Sequence, residues 1–323
     1  MLGSGNDGSA TTGPRRNNRN LEIIMATIQN NAGAAAQAPI DTNALAFQFV
    51  EQLAKEVSGG RVDLPAFPDV AVRVRKVLAD ENVGTDKIAR VITSEPGLTA
   101  RVLALANSAA LSRGGKTITD MKMAVNRIGH NNVRTAAVSF AIAQLRRADE
   151  LKPIAKNLEE LWHESTMVAA LCHAVASRAK GINSDEAMLC GLMHNVGKIY
   201  ILARARRHAE LFNDAAALQT IMRDWHANVG RAVVENWGFP PQIVEAVGNH
   251  EDLDRVTEAA PDLTDVLTVS TMLAAFLGKE TDLELNMQGV HAFTRLALDN
   301  SKCMYIMDDC AEEIAALRTA LGD

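Results

Sequence analysis

At 323 residues, 47% apolar and 22% charged, the chain has room for one large or two ordinary domains with a sizeable core. Aromatic residues make up 4% while Ala, Leu, Val and Met are abundant, which favours helices packed through small, flexible side chains over sheets. The net charge of -6 gives the chain no general attraction to a phosphate backbone, and direct nucleic-acid binding is not expected.

Residues 1–40 are rich in Gly, Asn, Ala, Gln, Ser and Thr and poor in large apolar side chains. Such a composition buries too little surface to offset the entropy of ordering, so a disordered low-complexity tail is expected. Met25 is an alternative start to Met1. No signal-peptide pattern opens the chain, and no apolar run approaches the roughly 20 residues of a membrane span. The four cysteines, Cys172, Cys190, Cys303 and Cys310, form no CxxC pair and read as core thiols. A cytoplasmic location without membrane contact is expected.

From Asn43 the pattern turns helical, with Leu45, Phe47, Phe49, Val50, Leu53 and Val57 on one side and Ser58-Gly59-Gly60 as its end. Leu64-Pro65-Ala66-Phe67-Pro68 is an extended segment, because proline disfavours helix in the residue before it. Short amphipathic helices follow at Val70–Leu78 and from Thr85. Ser94-Glu95-Pro96-Gly97 starts another, with Pro96 in the first turn where its missing N–H is not needed. Further helices are predicted at about Asp120–Ile128, Asn132–Arg147 and Ile154–Lys180, then from Asp185 to about Ala203 with Ser184 as cap. Trp225–Trp237, Pro241–Asn249, Leu263–Leu277 and Cys310–Leu321 complete the series. The pattern is all-α, without a convincing strand.

Eight histidines occur. His208 lies in a basic stretch, and His130 and His291 read as helix-end or surface residues. His194, His226 and His250 stand apart. His194 lies between Gly191 and Gly197 in an otherwise apolar helical run, where each glycine costs about 1 kcal/mol relative to alanine. That cost points to a close approach of backbone or ligand. His226 also has a glycine four residues on, Gly230, and His250 ends a helix. Singly, each reads as a structural histidine; together they raise a shared site whose convergence the sequence does not establish.

The ordered segments Leu64–Pro68, Glu95–Ala109, Ile118–Gly129, Gly191–Lys198 and His226–Pro240 together resemble the HDOD family, the HD-related output domain of bacterial signalling proteins. The resemblance covers about 190 residues, from Leu64 to about Asp254. It implies a multi-helix bundle like that of HD phosphohydrolases. The expected organisation is the tail, a domain over 41–256 whose HD-like part begins near residue 150, and a helical C-terminal segment over 257–323 packed on that part.

In the enzymes, histidines and aspartates hold divalent metal that activates water against a phosphoester. At the first ligand position this chain has Glu164; His163 is one step early, and adjacent helical residues point about 100° apart. The His-Asp pair is His194-Asn195, and a neutral amide is a poorer partner for a divalent ion than a carboxylate. His226 and His250 keep two later positions, while Thr271 takes the place of the final aspartate. Lys198 matches a family lysine that faces phosphate in active relatives.

The resemblance therefore implies a non-catalytic regulatory protein that contacts other signalling proteins. No cofactor, metal or catalytic residue is expected. The alternatives are a metal-dependent phosphohydrolase or phosphodiesterase holding iron, manganese or zinc on Glu164, His194, His226 and His250, and a nucleotide sensor without turnover that uses Lys198. A GxSxG turn, a P-loop and zinc-finger spacing are all absent. Partner, upstream signal and oligomeric state are not legible.

Overall fold

The computed structural model describes residues 40–59, 69–80, 82–112 and 115–322. The expected tail and the 64–68 segment lie outside them, Ile40 excepted. The chain divides into two compact units, 1–61 and 62–323. In the first, α1 (Ile40–Ser58) carries Phe49, Val50, Leu53 and Ala54 on one face.

The second unit is all-helical among the described residues. It begins with α2 (Asp69–Leu78), α3 (Thr85–Thr93), α4 (Pro96–Asn107), α5 (Ala109–Ser112) and α6 (Met121–Arg146). Pro96 stands in the first turn of α4, as its missing N–H predicts. Asn107 closes that helix and holds the following loop from both sides, donating to the Ile118 carbonyl and accepting from the Ile118 N–H, each at 2.8 Å. Asp120 caps α6 by accepting from the Met123 N–H. Gly129, at φ +73°, kinks α6 between the two predicted stretches.

A 3₁₀ turn (Asp149–Ile154) leads into α7 (Ala155–Ala176), then α8 (Ser184–Met193), α9 (Val196–Ala205), α10 (Ala209–Asn213) and α11 (Ala215–Asn236). The chain closes with α12 (Pro241–Asn249), α13 (Leu263–Ala275), α14 (Glu280–Met287), α15 (His291–Arg295), α16 (Asn300–Asp309) and α17 (Ala311–Leu321). Helix α7 is central and packs against α8, α13 and α17. Trp162, Leu158 and Leu171 on it are fully buried, each contributing about 1.5–3 kcal/mol. The C-terminal segment packs on both parts of the unit, α13 on α7 and α8, and α17 on α4 as well as α7.

Two local expectations are corrected. The cap of α8 is Asn183, whose side chain accepts from Asp185 and Glu186, so Ser184 is already helical. The single helix predicted over 185–203 is two helices broken at His194-Asn195. The break re-aims the chain so that Gly197 meets α11 at backbone distance. A Cβ there would sit 1.9 Å from the His226 carbonyl oxygen. Gly191 does the same against α7, where a Cβ would fall 2.6 Å from Ala169 Cα. Both glycines are thus explained by close helix crossings.

Candidate functional site

The break at His194, the middle of α11 and the C-terminal end of α12 bring three histidines to one place. The His194 and His250 ring centroids are 5.6 Å apart, and those of His226 and His250 are 5.5 Å apart, both edge to face. Each residue is 1% exposed. Each ring uses Nδ1 in the same way, donating to a carbonyl of its own helix: His194 to Gly191 at 2.7 Å, His226 to Met222 at 2.8 Å, and His250 to Val247 at 2.9 Å. A carbonyl accepts only, so Nδ1 must carry a proton, and in each neutral ring Nε2 is left with its lone pair. All three Nε2 atoms are buried, and none makes a well-aligned hydrogen bond among the described residues.

Two carboxylates face these nitrogens. Glu164 Oε1 lies 3.7 Å from both His194 Nε2 and Lys198 Nζ. Glu251 Oε1 lies 3.1 Å from His226 Nε2 and 3.9 Å from His250 Nε2. Burial alone would raise the Glu164 carboxyl; a proton on His194 Nε2, the Lys198 ammonium and the Asn195 amide outweigh it and hold it down to about 2. Burial would likewise raise Glu251, and a proton on His226 Nε2 beside it reverses the sign. His250 is pushed down to about 3, first by burial and then by positive charge on His194 and His226, so its own ring is the one kept neutral.

Lone pairs facing carboxylate oxygens at such distances repel unless a proton or cation lies between them. The donor set fits a divalent ion: neutral imidazole nitrogens and carboxylate oxygens suit zinc, iron and manganese. The ligand atoms of His226, His250 and Glu251 all lie within 4.8 Å of one another. A cavity of about 390 Å³ opens beside this cluster, lined by Glu164, Lys198, Met222, Arg223, His226 and Glu251 among others.

The sequence-derived positions divide accordingly. Glu164, His194, His226 and His250 come together, and Lys198 reaches Glu164. Asn195 sits beside His194, fully buried, its amide near enough to Glu164 to lower that carboxyl but in no well-formed hydrogen bond. Thr271 gives its hydroxyl to its own helix, donating to the Thr268 carbonyl at 2.8 Å. It is Thr268 that reaches the site's backbone, donating to the His250 carbonyl at 2.8 Å. His163 pairs with Glu159 at 3.5 Å on an exposed face. Glu251 is the residue that sequence reasoning missed; the available signal was an acidic side chain directly after a histidine at a helix end.

Comparison with known proteins follows the same lines. A protein of Shewanella amazonensis SB2B, provisionally assigned as a metal-dependent phosphohydrolase, superposes with a TM-score of 0.70 at 26% identity, covering 85% of this chain and 99% of that one. An HDOD domain protein of unknown function from Geobacter sulfurreducens superposes at 0.57 with 23% identity, covering 84% and 97%. An uncharacterized protein of Treponema pallidum is 24% identical over 258 residues, 76% of this chain; the chain spans about half of that relative, 48%. No helix among the described residues is long and apolar enough to cross a membrane. The HDOD domain profile matches residues 64–253, more than half of the chain, and the protein belongs to the HDOD domain family.

Proposed function

We propose that this chain is a regulatory signalling protein that acts through contacts with other proteins, and that its histidine cluster holds one divalent ion without turning over phosphoesters. The observation that carries this reading is Asn195. It places a neutral, fully buried amide beside His194, where the resemblance to HD phosphohydrolases implies a carboxylate. One compact ligand set then remains, His226, His250 and Glu251. The other half, His194 with Glu164, is balanced internally by the Lys198 ammonium.

A bound ion would supply positive charge and Lewis acidity at that point. His226, His250 and Glu251 would hold it, and their Nδ1–H bonds to backbone carbonyls fix the ring orientation that binding requires. Asn195 carries no charge to draw a proton from water, and Lys198 is committed to Glu164. A centre of this kind stabilises the fold around α11 and α12 more than it prepares a nucleophile.

The hydrolase reading is favoured by one observation, the cavity that opens beside the cluster. Elemental analysis and a phosphodiester hydrolysis assay on the same purified chain separate the two. The expected result is about one manganese, iron or zinc ion per chain, lost in His250→Ala, with hydrolysis at the buffer rate. Turnover that disappears in His250→Ala would establish the hydrolase instead. A wild-type chain without any ion would remove the cation centre from the proposal.

A further inference from the structure

The loop between α12 and α13 carries Glu251 at its start, and something must hold it. Its apolar side chains do not, since Leu253 is 42% exposed and Val256 is 75% exposed. Backbone pairing is confined to the first turn, where Asp252 and Arg255 donate to the Asn249 and Asp252 carbonyls. From Val256 to Pro261 the backbone makes no hydrogen bond to other backbone among the described residues.

Arg295, on α15 of the C-terminal segment, takes that role. Its Nη1 donates to the Thr257 and Ala259 carbonyls, both at 2.8 Å, and its Nη2 to the Ala260 carbonyl at 2.9 Å. Nε and Nη2 also donate to the two oxygens of Asp265, at 3.0 and 2.9 Å. A guanidinium has five N–H donors, and all five are used. Asp265 is a buried carboxylate on α13 that receives Arg255 as well, at 3.1 Å. Charge-assisted bonds of this kind are about twice as strong as neutral ones. The same helix α13 grips the start of the loop through Thr268 and the His250 carbonyl.

We propose that Arg295 is a positioning residue for the cation centre: paired with Asp265, it fixes the 251–262 loop and so sets the Glu251 carboxylate against His226 and His250. The inference rests on reading the histidine cluster as a cation site. It makes the C-terminal segment, which supplies none of the ligands, a determinant of the site's affinity. Lysine does not replace Arg295, because one ammonium offers three donors and no planar fork.

The test uses the full chain in four forms: wild type, Arg295→Lys, Arg295→Ala, and Arg178→Ala as a control that breaks the remote Arg178–Asp309 pair. Cleavage of the 251–262 loop by a protease under native conditions is measured without metal, and Co²⁺ affinity is measured by visible absorption. Both Arg295 variants are expected to be cut about ten-fold faster in that loop and to bind Co²⁺ about ten-fold more weakly, with the control unchanged in both. If Arg295→Ala fails to fold, Arg295→Lys, which keeps the charge and loses the fork, decides. Unchanged cleavage and affinity in the Arg295 variants, with Co²⁺ bound by the wild type, would overturn this inference alone. An equal loss in Arg178→Ala would overturn it by making the effect global. A wild-type chain that takes up no Co²⁺ would remove the cation site itself and the inference with it.

Discussion

Gly197 on α9 and His226 on α11 share one close crossing: a side-chain carbon on Gly197 would lie 1.9 Å from the His226 carbonyl oxygen and 2.7 Å from the Gly230 nitrogen. Both neighbours are backbone, so neither yields by rotating a side chain. Gly197→Ala is therefore expected to destabilise the fold by about 3 kcal/mol or more and to displace His226 from the cluster. Urea unfolding measures the first effect. A variant within 0.5 kcal/mol of the wild type, on the order of an ordinary surface substitution, would sink the account.

The buried Nε2 atoms of His226 and His250, with Glu251 beside them, make a second expectation. An ion that binds the folded chain and not the unfolded one adds stability by mass action, about 2.7 kcal/mol at a hundredfold excess over its dissociation constant. For a unit of this size that is a melting shift of roughly 5 °C or more. Mn²⁺ should raise the melting temperature of the wild type, and EDTA should reverse it. His250→Ala should melt at one temperature under both conditions. An equal Mn²⁺ response in His250→Ala would show that the ion binds elsewhere.

The legible parts of this fold are those where a terminus has its own chemistry. Pro96, Asp120 and Pro241 mark helix starts without help from tertiary structure, and Gly129 falls in the gap between two predicted stretches. The break at His194-Asn195 has no such marker. The segment from Ala187 to Ala205 is buried almost all round, leaving no amphipathic period to reveal a change of direction. Short helices α10, α14 and α15 were missed for a related reason, since runs of five to eight residues carry too few turns for a period to emerge. His194 and His226 were marked by glycines near them in sequence, of which only Gly197 meets a histidine's backbone, and their meeting with His250 was not legible. Glu251 was not, because its place beside His226 depends on the turn that ends α12 and on a loop held by Arg295.

Asn195 permits a change in the opposite direction. Asn195→Asp puts a second carboxylate beside Glu164, at a buried place where neither amide atom makes a well-formed hydrogen bond. A buried, unpaired charge costs about 3 kcal/mol or more, so the variant should be less stable than the wild type in EDTA. The same charge draws a divalent ion, so its Mn²⁺ affinity should rise and the stability gap should narrow as Mn²⁺ is added. Differential scanning calorimetry with and without Mn²⁺ reads both effects. Equal stability in EDTA would mean that water or rearrangement already satisfies the position.

Asp262 gives the loop a pH dependence with a defined sign. Burial would raise its carboxyl, but the Arg255 guanidinium at 2.5 Å and the Thr264 and Asp265 N–H groups hold it below its ordinary value of 3.8. A carboxylate whose folded value is depressed contributes its full stability above the unfolded value and loses it as pH falls through the folded one. Asp262→Asn keeps a side-chain oxygen that can cap α13 and removes only the charge. The wild type should therefore be the more stable of the two at neutral pH, and the difference should shrink as the pH falls below the ordinary value of 3.8. Urea unfolding of both proteins from neutral pH into acid checks it. A gap that does not shrink anywhere in acid would assign the contribution to cap geometry and not to the Arg255–Asp262 pair.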